Sequence, residues 1–482
     1  MNVDIEPKLK SHKPHKTKLV IALLVVLLVS SLVIACVVMT NSKNISIDED
    51  TPTQNSPTGS VIQVSNEEEL LNAINRTTKP TIIAFNKDIT LTESLTISVN
   101  KEITLTSNDN SKFYKLNGAD GYDTITVDNG GVLTIDGIIV THKSGEGGRG
   151  VNVKNSGTFI MNSGEISDNN AFGSGGGIST LGTFSTTGGV ITNNVANYSG
   201  GGVPGIFSYS ANGGGVWNCG SFEMSGGVIS NNFATYSAGG VDNQGVFTMT
   251  GGKIYNNTAT YGHGGGVLNS VYGGITNSGV FSMSGGIISD NTAGAGGGVS
   301  NDLGVFNLSG DGIISNNNAG VGGGVYSAGG ETVFNMSGGK ISGNIATGNG
   351  GGVFHGGDTT NFRLSGGEIS GNTAINGSGV YNHNGNFSMS GGLISGNTAT
   401  GNGGGVYNSG IGAYEMGTEI HTHYGKFNMS GGTISGNNAA AYGGGLYNDV
   451  AGGVFTLTND GVISNNTASY GAVYGDGDMF NG

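Results

Sequence analysis

The segment with the clearest capacity for chemistry is Glu419-Ile420-His421-Thr422-His423. Alternate side chains of a β-strand face the same side, so Glu419, His421 and His423 would share one face. Two imidazoles and a carboxylate are ligands that zinc and other transition metals accept. The same residues are also typical of a solvated polar strand in an exposed loop, and both interpretations stay open. Apart from this segment, the sequence predicts no cofactor.

Acid–base catalysis is the second chemistry to consider. Enzymes that cleave acidic polysaccharides need clustered carboxylates and a basic residue beside the substrate. From Val151 onward the sixteen acidic residues are scattered, and most occupy no recurring position. The same region holds only five basic residues, which are Lys154, Lys253, Lys340, Arg363 and Lys426. The sequence therefore predicts a protein without catalytic activity, and an extracellular polysaccharide lyase or hydrolase is the alternative.

A repeat must position all of these residues. Phenylalanine recurs eleven times at intervals of 25 to 40 residues, within the pattern Phe-x-(Met/Leu)-(Ser/Thr)-Gly-Gly-x-Ile-x-x-Asn-x-Ala, and Gly-Gly-(Val/Leu/Ile) follows. The Phe and the residue two positions later would share one face, which is the period of a strand. Frequent Gly-Gly pairs and asparagines argue against helices. These phenylalanines are Phe159, Phe184, Phe222, Phe247, Phe281, Phe306, Phe334, Phe362, Phe387, Phe427 and Phe455.

Stacking is what such a repeat requires. A unit of 25 residues cannot bury its apolar row alone, but units stacked at ~4.8 Å can. The pattern therefore predicts an all-β, parallel β-helix with one coil per repeat. We expect the asparagine of each repeat to tolerate the left-handed conformation and to stack its amide on those above and below. The predicted column is Asn169, Asn194, Asn232, Asn257, Asn291, Asn317, Asn344, Asn372, Asn397, Asn437 and Asn466.

The amino-terminus is organised for a membrane. Leu19 to Met39 is a run of 21 uncharged, mostly apolar residues, long enough as a helix to cross a bilayer, and five lysines precede it. This flank predicts a cytoplasmic amino-terminus. Cleavage as a signal peptide and lipidation at Cys36 are the alternatives. The predicted divisions are a basic cytoplasmic tail 1–18, a transmembrane signal anchor 19–40, a flexible linker 41–60, a cap with the first coils 61–130 and repeats 131–482.

Charge and insertions restrict the partners. A net charge of −14 argues against nucleic acid, whose binding proteins present basic patches. Longer repeats carry extra residues, such as 204–219 and 407–424, between the Gly-Gly-Val strand and the next Phe. We expect these insertions to lie on one flank of the rod, as a binding face; loop drift without a ligand is the alternative. The predicted contact residues are Phe207, Tyr209, Trp217, Tyr272, Tyr414 and Tyr424.

The repeats also resemble a known family. Gly265-Gly266-Val267 and Gly404-Gly405-Val406, together with Ile394-Ser395-Gly396-Asn397, resemble the GGA(I/V/L)-type and FxxN-type motifs of polymorphic outer membrane proteins. Large adhesin-like proteins of archaea are similar. The resemblance covers about residues 61–482. It implies a right-handed parallel β-helix of the pectin-lyase-like fold. The repeat count and the apolar run add the expectation of about 11–14 coils after a single transmembrane helix.

The apolar run, the insertions and the resemblance together favour one function. We expect a membrane-anchored, single-pass protein of the cell surface, adhesin-like and without catalytic activity. Its partners would be the membrane, through residues 19–39, and cell-surface glycans or proteins, but not nucleic acid. A polysaccharide lyase or hydrolase and a structural component of a surface layer are the alternatives.

Overall fold

The computed structural model describes residues 61–475, with the exception of 110, 143–146, 198–210, 272–278, 417–418 and 459. They belong to one compact unit, Gly59–Gly482. The predicted tail, anchor and linker lie outside the described residues, as do Phe207, Tyr209 and Tyr272. Within the part of the chain that is described, no helix has the length and apolar character needed to cross a membrane.

The single α-helix among the described residues is Glu67–Arg76. It begins there because the side chain of Asn66 accepts a hydrogen bond from the backbone N–H of Glu69, while the Glu69 carboxylate accepts one from the Asn66 amide. Three glutamates in the first turn also favour the positive end of the helix dipole. One face packs against the first coils through the buried Leu70, Ala73 and Ile74.

The described chain winds as a parallel β-solenoid of about 13 turns. The turns contribute to three parallel sheets, which we name A, C and B, and each strand pairs with the strand one turn later. The first turns have strands in sheets A and B only, and from Thr158 onward each turn contributes to A, C and B in chain order. The predicted all-β, parallel β-helix is confirmed.

Sheet A carries the Phe and Ile positions of the repeat. Its 23 strands are Val61–Val64, Thr81–Phe85, Ile89–Thr90, Glu102–Ser107, Tyr114–Gly118, Val132–His142, Thr158–Ser167, Thr183–Thr186, Val190–Thr192, Ser221–Met224, Val228–Ser230, Val246–Met249, Lys253–Tyr255, Val280–Met283, Ile287–Ser289, Val305–Leu308, Ile313–Ser315, Val333–Ser342, Asn361–Ser370, Asn386–Ser395, Gly425–Ser435, Gly453–Leu457 and Val462–Ser464.

Sheet C follows the repeat asparagine. Its 11 strands are Asn170–Phe172, Val195–Asn197, Phe233–Ala234, Thr258–Ala259, Thr292–Ala295, Asn318–Val321, Ile345–Ala346, Thr373–Ala374, Thr398–Ala399, Asn438–Tyr442 and Thr467–Tyr470.

Sheet B follows the glycines that close each turn. Its 14 strands are Leu95–Ile97, Ile125–Val127, Val151–Val153, Ile178–Thr180, Val216–Asn218, Val241–Asn243, Val267–Asn269, Val299–Asp302, Val325–Ala328, Val353–Gly356, Val380–His383, Val406–Ser409, Leu446–Asn448 and Val473–Tyr474. A separate antiparallel hairpin pairs Gly412–Met416 with Glu419–His423.

The bore of the solenoid is filled by a column of phenylalanine rings. Successive rings from Phe159 to Phe455 have centroids 4.5–5.1 Å apart. The strand pairing enforces this stacking, because Phe334 is in register with both Phe306 and Phe362. Ten of the eleven rings are fully buried. Burial of these rings, with the Ile and Met or Leu of each turn, supplies most of the hydrophobic stabilisation.

The turn from sheet A into sheet C is made one residue earlier than we expected. The left-handed conformation is adopted by the residue before each repeat asparagine, for example Asn193 (φ 55°) and Gly343 (φ 66°). The prediction that the repeat asparagine itself is left-handed is wrong. Its amide must point along the rod axis into the stack, so the reversal occurs at the preceding residue, where Asn, Asp or Gly tolerates a positive φ.

Candidate functional site

The eleven repeat asparagines form one continuous column. Nδ2 of Asn344 donates to Oδ1 of Asn372 and to the carbonyl of Ile314, both at 3.0 Å. Oδ1 of Asn344 accepts from the backbone N and from Nδ2 of Asn317. Amide-to-amide distances of 2.8–3.0 Å link the column from Asn169 to Asn466. Because these amides are buried and bonded within the column, they are structural and not available to a ligand.

A second asparagine column, which the sequence analysis missed, lines sheet B. Its residues stand two positions after the Val or Leu that opens each strand, and amide-to-amide distances are 2.7–2.8 Å. Ser327 and His355 interrupt it. The asparagines are Asn218, Asn243, Asn269, Asn301, Asn382, Asn408 and Asn448.

His355 replaces an amide at the interruption. It is fully buried, and its Nε2 lies 3.1 Å from Oγ1 of Thr360. Neither Nδ1 of His355 nor Oδ1 of Asn382, its neighbour in register, has a hydrogen-bond partner among the described residues. Burial lowers the pKa of His355 to about 4. The imidazole is therefore neutral near pH 7 and belongs to the core.

The outward residues of sheet B form a row that we name the outer lane. It consists of ten residues in register, one per turn, whose neighbours in each strand point into the bore. In chain order they are Trp217, Asp242, Leu268, Ser300, Tyr326, Phe354, Tyr381, Tyr407, Tyr447 and Tyr474. Asp242, Leu268 and Ser300 in this row are buried, and its other members are half-buried or exposed.

From Tyr326 onward the outer lane is entirely aromatic. Its six rings stack with centroids 4.6–5.3 Å apart and planes within 23° of each other. Five are half-buried, and Tyr474 is 38% exposed. Because neighbouring rings cover each other's faces, the edges and hydroxyl groups are what the ladder offers to solvent. Burial raises the pKa of Tyr326, Tyr381, Tyr407 and Tyr447, so these hydroxyls stay neutral and can donate and accept hydrogen bonds.

Polar side chains flank this ladder. Nδ1 of His383 lies 3.1 Å from Oγ of Ser409, and Nδ1 of His423 contacts a carboxylate oxygen of Asp358. Asp449 accepts a hydrogen bond from the backbone of Ala451, and its charge contributes to the raised pKa of the neighbouring tyrosines. Burial lowers the pKa of His383, with Asp358 and Asp449 acting in the opposite direction.

The other end of the outer lane carries a buried acid. Asp242 is fully buried, and its Oδ2 accepts from Nε2 of Gln244 at 3.0 Å. Its Oδ1 makes no hydrogen bond of good geometry among the described residues. Burial raises the pKa of Asp242 to about 7, although the neighbouring side chains of Asn212 and Gln244 act to lower it. Further along, Nδ1 of His263 lies 2.7 Å from Oδ2 of Asp302, and this hydrogen bond raises the pKa of His263.

The metal candidates occupy one strand of the hairpin. Backbone alternation places Glu419, His421 and His423 on one face, and His423 contacts Asp358. The side chains of Glu419 and His421 lie outside the described part of the chain. Within that part, no three His, Cys, Asp or Glu residues are grouped so that they could hold a metal ion.

The insertions leave the coil at two different corners. The one at 407–424 begins within the sheet B strand Val406–Ser409 and ends directly before the sheet A strand Gly425–Ser435. The one at 204–219 begins before the sheet B strand Val216–Asn218 and ends one residue after it. The expected common flank is therefore wrong for this pair.

Two Gly-Gly-Val triplets occur in the repeat that contains 204–219. The second, Gly214-Gly215-Val216, leads into the sheet B strand, because Asn218 then lies in the second asparagine column. The first, Gly201-Gly202-Val203, lies outside the described residues.

This register places the predicted contact residues differently. Trp217 stands on the outer lane itself, in register with Ser179 and Asp242, and it is half-buried. Tyr414 lies in the hairpin strand Gly412–Met416, and Tyr424 follows the hairpin and is half-buried.

Comparisons with protein-family models, curated proteins and solved structures find no match to this chain.

Proposed function

We propose that this chain is a membrane-anchored, adhesin-like protein of the cell surface, and that its right-handed β-helix binds carbohydrate chains along the outer lane of sheet B. The aromatic ladder from Tyr326 to Tyr474 is the observation that carries the proposal. Six aromatic side chains in consecutive turns add nothing to the bore, which the phenylalanine column already fills. Such an apolar surface bordered by polar groups is typical of a binding site.

The dimensions of the ladder favour a linear polymer. Five steps of ~4.8 Å give a row about 24 Å long, parallel to the rod axis. A glycan chain lying along it would meet a ring edge and, in most turns, a phenolic hydroxyl at each step. Tyrosine supplies large amphipathic contacts at low cost in conformational entropy, and here stacking already holds the rings in place. The side chains of His383 and Asp449 lie beside the ladder as hydrogen-bonding partners for sugar hydroxyls, and the buried Ser409 contacts His383.

Turnover of the glycan is the second candidate, and one observation favours it. The buried Asp242 has a pKa raised to about 7, in the range useful to a general acid, and Asp302 contributes to that shift. Binding without turnover is the better supported function, because Asp242 is fully buried and Asp302 is engaged by His263. Release of reducing ends or unsaturated products from a bound polysaccharide would decide for the enzyme.

The binding proposal predicts the effect of Tyr407→Ala, in the middle of the ladder. Full chain in non-ionic detergent, applied to an array of immobilised glycans, should lose at least about tenfold in affinity for the glycans that the wild type retains, because a central aromatic contact is removed. Tyr407→Phe, which keeps the ring, should lose less.

The matched control is Tyr261→Ala. Tyr261 is 78% exposed but stands outside the outer lane, so its removal should leave glycan binding unchanged. Circular dichroism verifies that each variant keeps the β-structure. A folded Tyr407→Ala protein that binds every glycan like the wild type would remove the ladder from the binding face.

We also propose that residues 41–482 lie outside the cell and that the apolar run 19–39 holds them there. The support is the 21-residue run and its five-lysine flank. Protease treatment of intact cells that produce the full chain should release fragments of the repeat region. Repeats that resist treatment of intact cells but are digested after lysis would contradict this orientation.

A further inference from the structure

The aromatic ladder contains a run of four tyrosines without interruption. Tyr381, Tyr407, Tyr447 and Tyr474 occupy consecutive turns, and strand pairing places each in register with the next. Their ring centroids are 4.9, 4.6 and 5.1 Å apart along the run. The solenoid therefore holds phenol groups of neighbouring turns in direct contact.

Register and ring orientation bring equivalent atoms of these tyrosines together. Because the strands are parallel, the side chains leave the backbone in the same direction, and successive ring planes differ by 17°, 23° and 4°. Burial raises the pKa of Tyr407, and the adjacent hydroxyls of Tyr381 and Tyr447 raise it further. The two Cε atoms of each ring, which flank the carbon that bears the hydroxyl, thus lie beside their counterparts on the next ring.

Phenols in this arrangement can be joined by oxidation. Loss of one electron and one proton turns a tyrosine into a phenoxyl radical, whose unpaired electron is shared between the oxygen and the Cε atoms. Two such radicals on adjacent rings combine by forming a Cε–Cε bond. Each of the two carbons then releases its hydrogen as a proton while each oxygen takes one up, so the product is a dityrosine with both hydroxyls restored.

We propose that this tyrosine run is a site of oxidative cross-linking, and that Tyr407 and Tyr447 form its main pair. The oxidant is hydrogen peroxide acting through a haem peroxidase; one peroxide accepts the two electrons and two protons and becomes two molecules of water. Tyr407 and Tyr447 have the shortest centroid distance of the run, and the fold holds them there, which favours coupling within a chain over coupling between chains. Both rings are half-buried, so the oxidant reaches their hydroxyl edges in the folded protein.

The cross-link ties together turns that a disulfide does not. The segment from Val380 to Tyr474 contains no cysteine. A bond between Tyr407 and Tyr447 closes a loop of about 40 residues, which includes the hairpin, and restricts the unfolded chain as a disulfide would. This modification is independent of glycan binding.

Trypsin separates the two partners for the experiment. Arg363 and Lys426 are followed by stretches without lysine or arginine, so the peptides are 364–426, with Tyr407, and 427–482, with Tyr447. Dilute full chain in non-ionic detergent is treated with hydrogen peroxide and a haem peroxidase, and the monomer is isolated on a denaturing gel, digested and examined by mass spectrometry. The two peptides should appear joined, at the sum of their masses less two hydrogens, with the bond between Tyr407 and Tyr447.

Two substitutions on the outer lane test the position in opposite directions. Tyr407→Phe should lose the joined pair, because phenylalanine forms no phenoxyl radical; the lane accepts this residue, since Phe354 stands there two turns earlier. Phe354→Tyr should add a product. The tryptic peptide 341–363 has no tyrosine in the wild type, and the ring of Phe354 stacks on that of Tyr381 at 5.3 Å, so this variant should join 341–363 to 364–426.

The matched control is Tyr424→Phe. Tyr424 is half-buried and lies in the same tryptic peptide as Tyr407, but outside the outer lane, so the joined pair should persist. A free tyrosine peptide oxidised in parallel shows that the oxidant is active.

Loss of the pair in Tyr407→Phe, its retention in Tyr424→Phe and the new product of Phe354→Tyr support the inference. A joined pair that persists in Tyr407→Phe overturns it. Dityrosine found only between chains, or an unmodified wild type beside a free peptide that couples, also overturns it. None of these results bears on glycan binding, which the glycan array measures separately.

Discussion

Replacing Asn344 by alanine should lower the free energy of unfolding by about 3–5 kcal/mol. The substitution removes the amide that donates to Asn372 and Ile314, and the oxygen that accepts two hydrogen bonds from Asn317. The backbone N–H of Asn317 and the carbonyl of Ile314 are then left without these partners inside the protein. Each unsatisfied buried group costs about 1–3 kcal/mol, which makes this a severe substitution.

Urea denaturation of the full chain, followed by circular dichroism, measures this effect. Asn335→Ala is the matched control, because Asn335 faces outward on sheet A and is half-buried. Its Nδ2 donates to Oδ1 of Asn307 at 2.9 Å, and its Oδ1 accepts from the exposed guanidinium of Arg363 at 3.3 Å. Its removal should change the free energy of unfolding by about 0.5 kcal/mol or less. Equal shifts of the denaturation midpoint for the two variants would show that the column does not stabilise the rod as its hydrogen bonds indicate.

The repeat made the fold predictable from sequence. Every repeat has a Phe and an Ile at the same two positions, as Phe334 and Ile341 show, and stacked parallel coils keep both residues buried. Parallel pairing in register then stacks Phe334 on Phe306 and Phe362. The asparagine column follows by the same reasoning, since an asparagine that recurs at one position of a stacked coil meets its own copies.

The conformation of the turns and the register of sheet B were harder to predict from the sequence. Two adjacent residues at the turn, such as Asn193 and Asn194, are both compatible with a left-handed φ, and the choice depends on which amide can reach the column. Similarly, two Gly-Gly-Val triplets precede Phe222. Only the register of the second asparagine column distinguishes them, which moves Trp217 from an insertion to the outer lane.

The outer lane itself had a sequence signal. Tyr326, Phe354, Tyr381, Tyr407 and Tyr447 each follow directly after the Val or Leu that opens a sheet B strand, and a serine, histidine or asparagine comes next. Side chains alternate along a strand, and here the residues before and after the aromatic one face the bore. The aromatic side chain must therefore face outward. The insertions are more conspicuous in the sequence. The continuous aromatic row, however, is formed by residues that recur at one position of each turn.

Asp242→Asn should abolish a pH-dependent loss of stability. Burial raises the pKa of Asp242 from its ordinary value of 3.8 to about 7. The folded protein therefore binds this proton more tightly than the unfolded chain, so the stabilisation is complete below about pH 4 and is lost as the pH rises to 7. At about 1.4 kcal/mol for each pH unit between the two values, the loss is on the order of 4 kcal/mol.

The measurement is the difference in unfolding free energy between Asp242→Asn and the wild type, by urea denaturation of the full chain from pH 4 to pH 8. The variant should gain on the wild type by roughly 4 kcal/mol across this range, because an amide has no proton to lose and no charge to bury. Asp311→Asn, at an exposed turn of sheet A, is the control and should show no such trend. Comparing differences removes every other titrating group that the proteins share. A constant difference would mean that a partner neutralises Asp242 when it ionises.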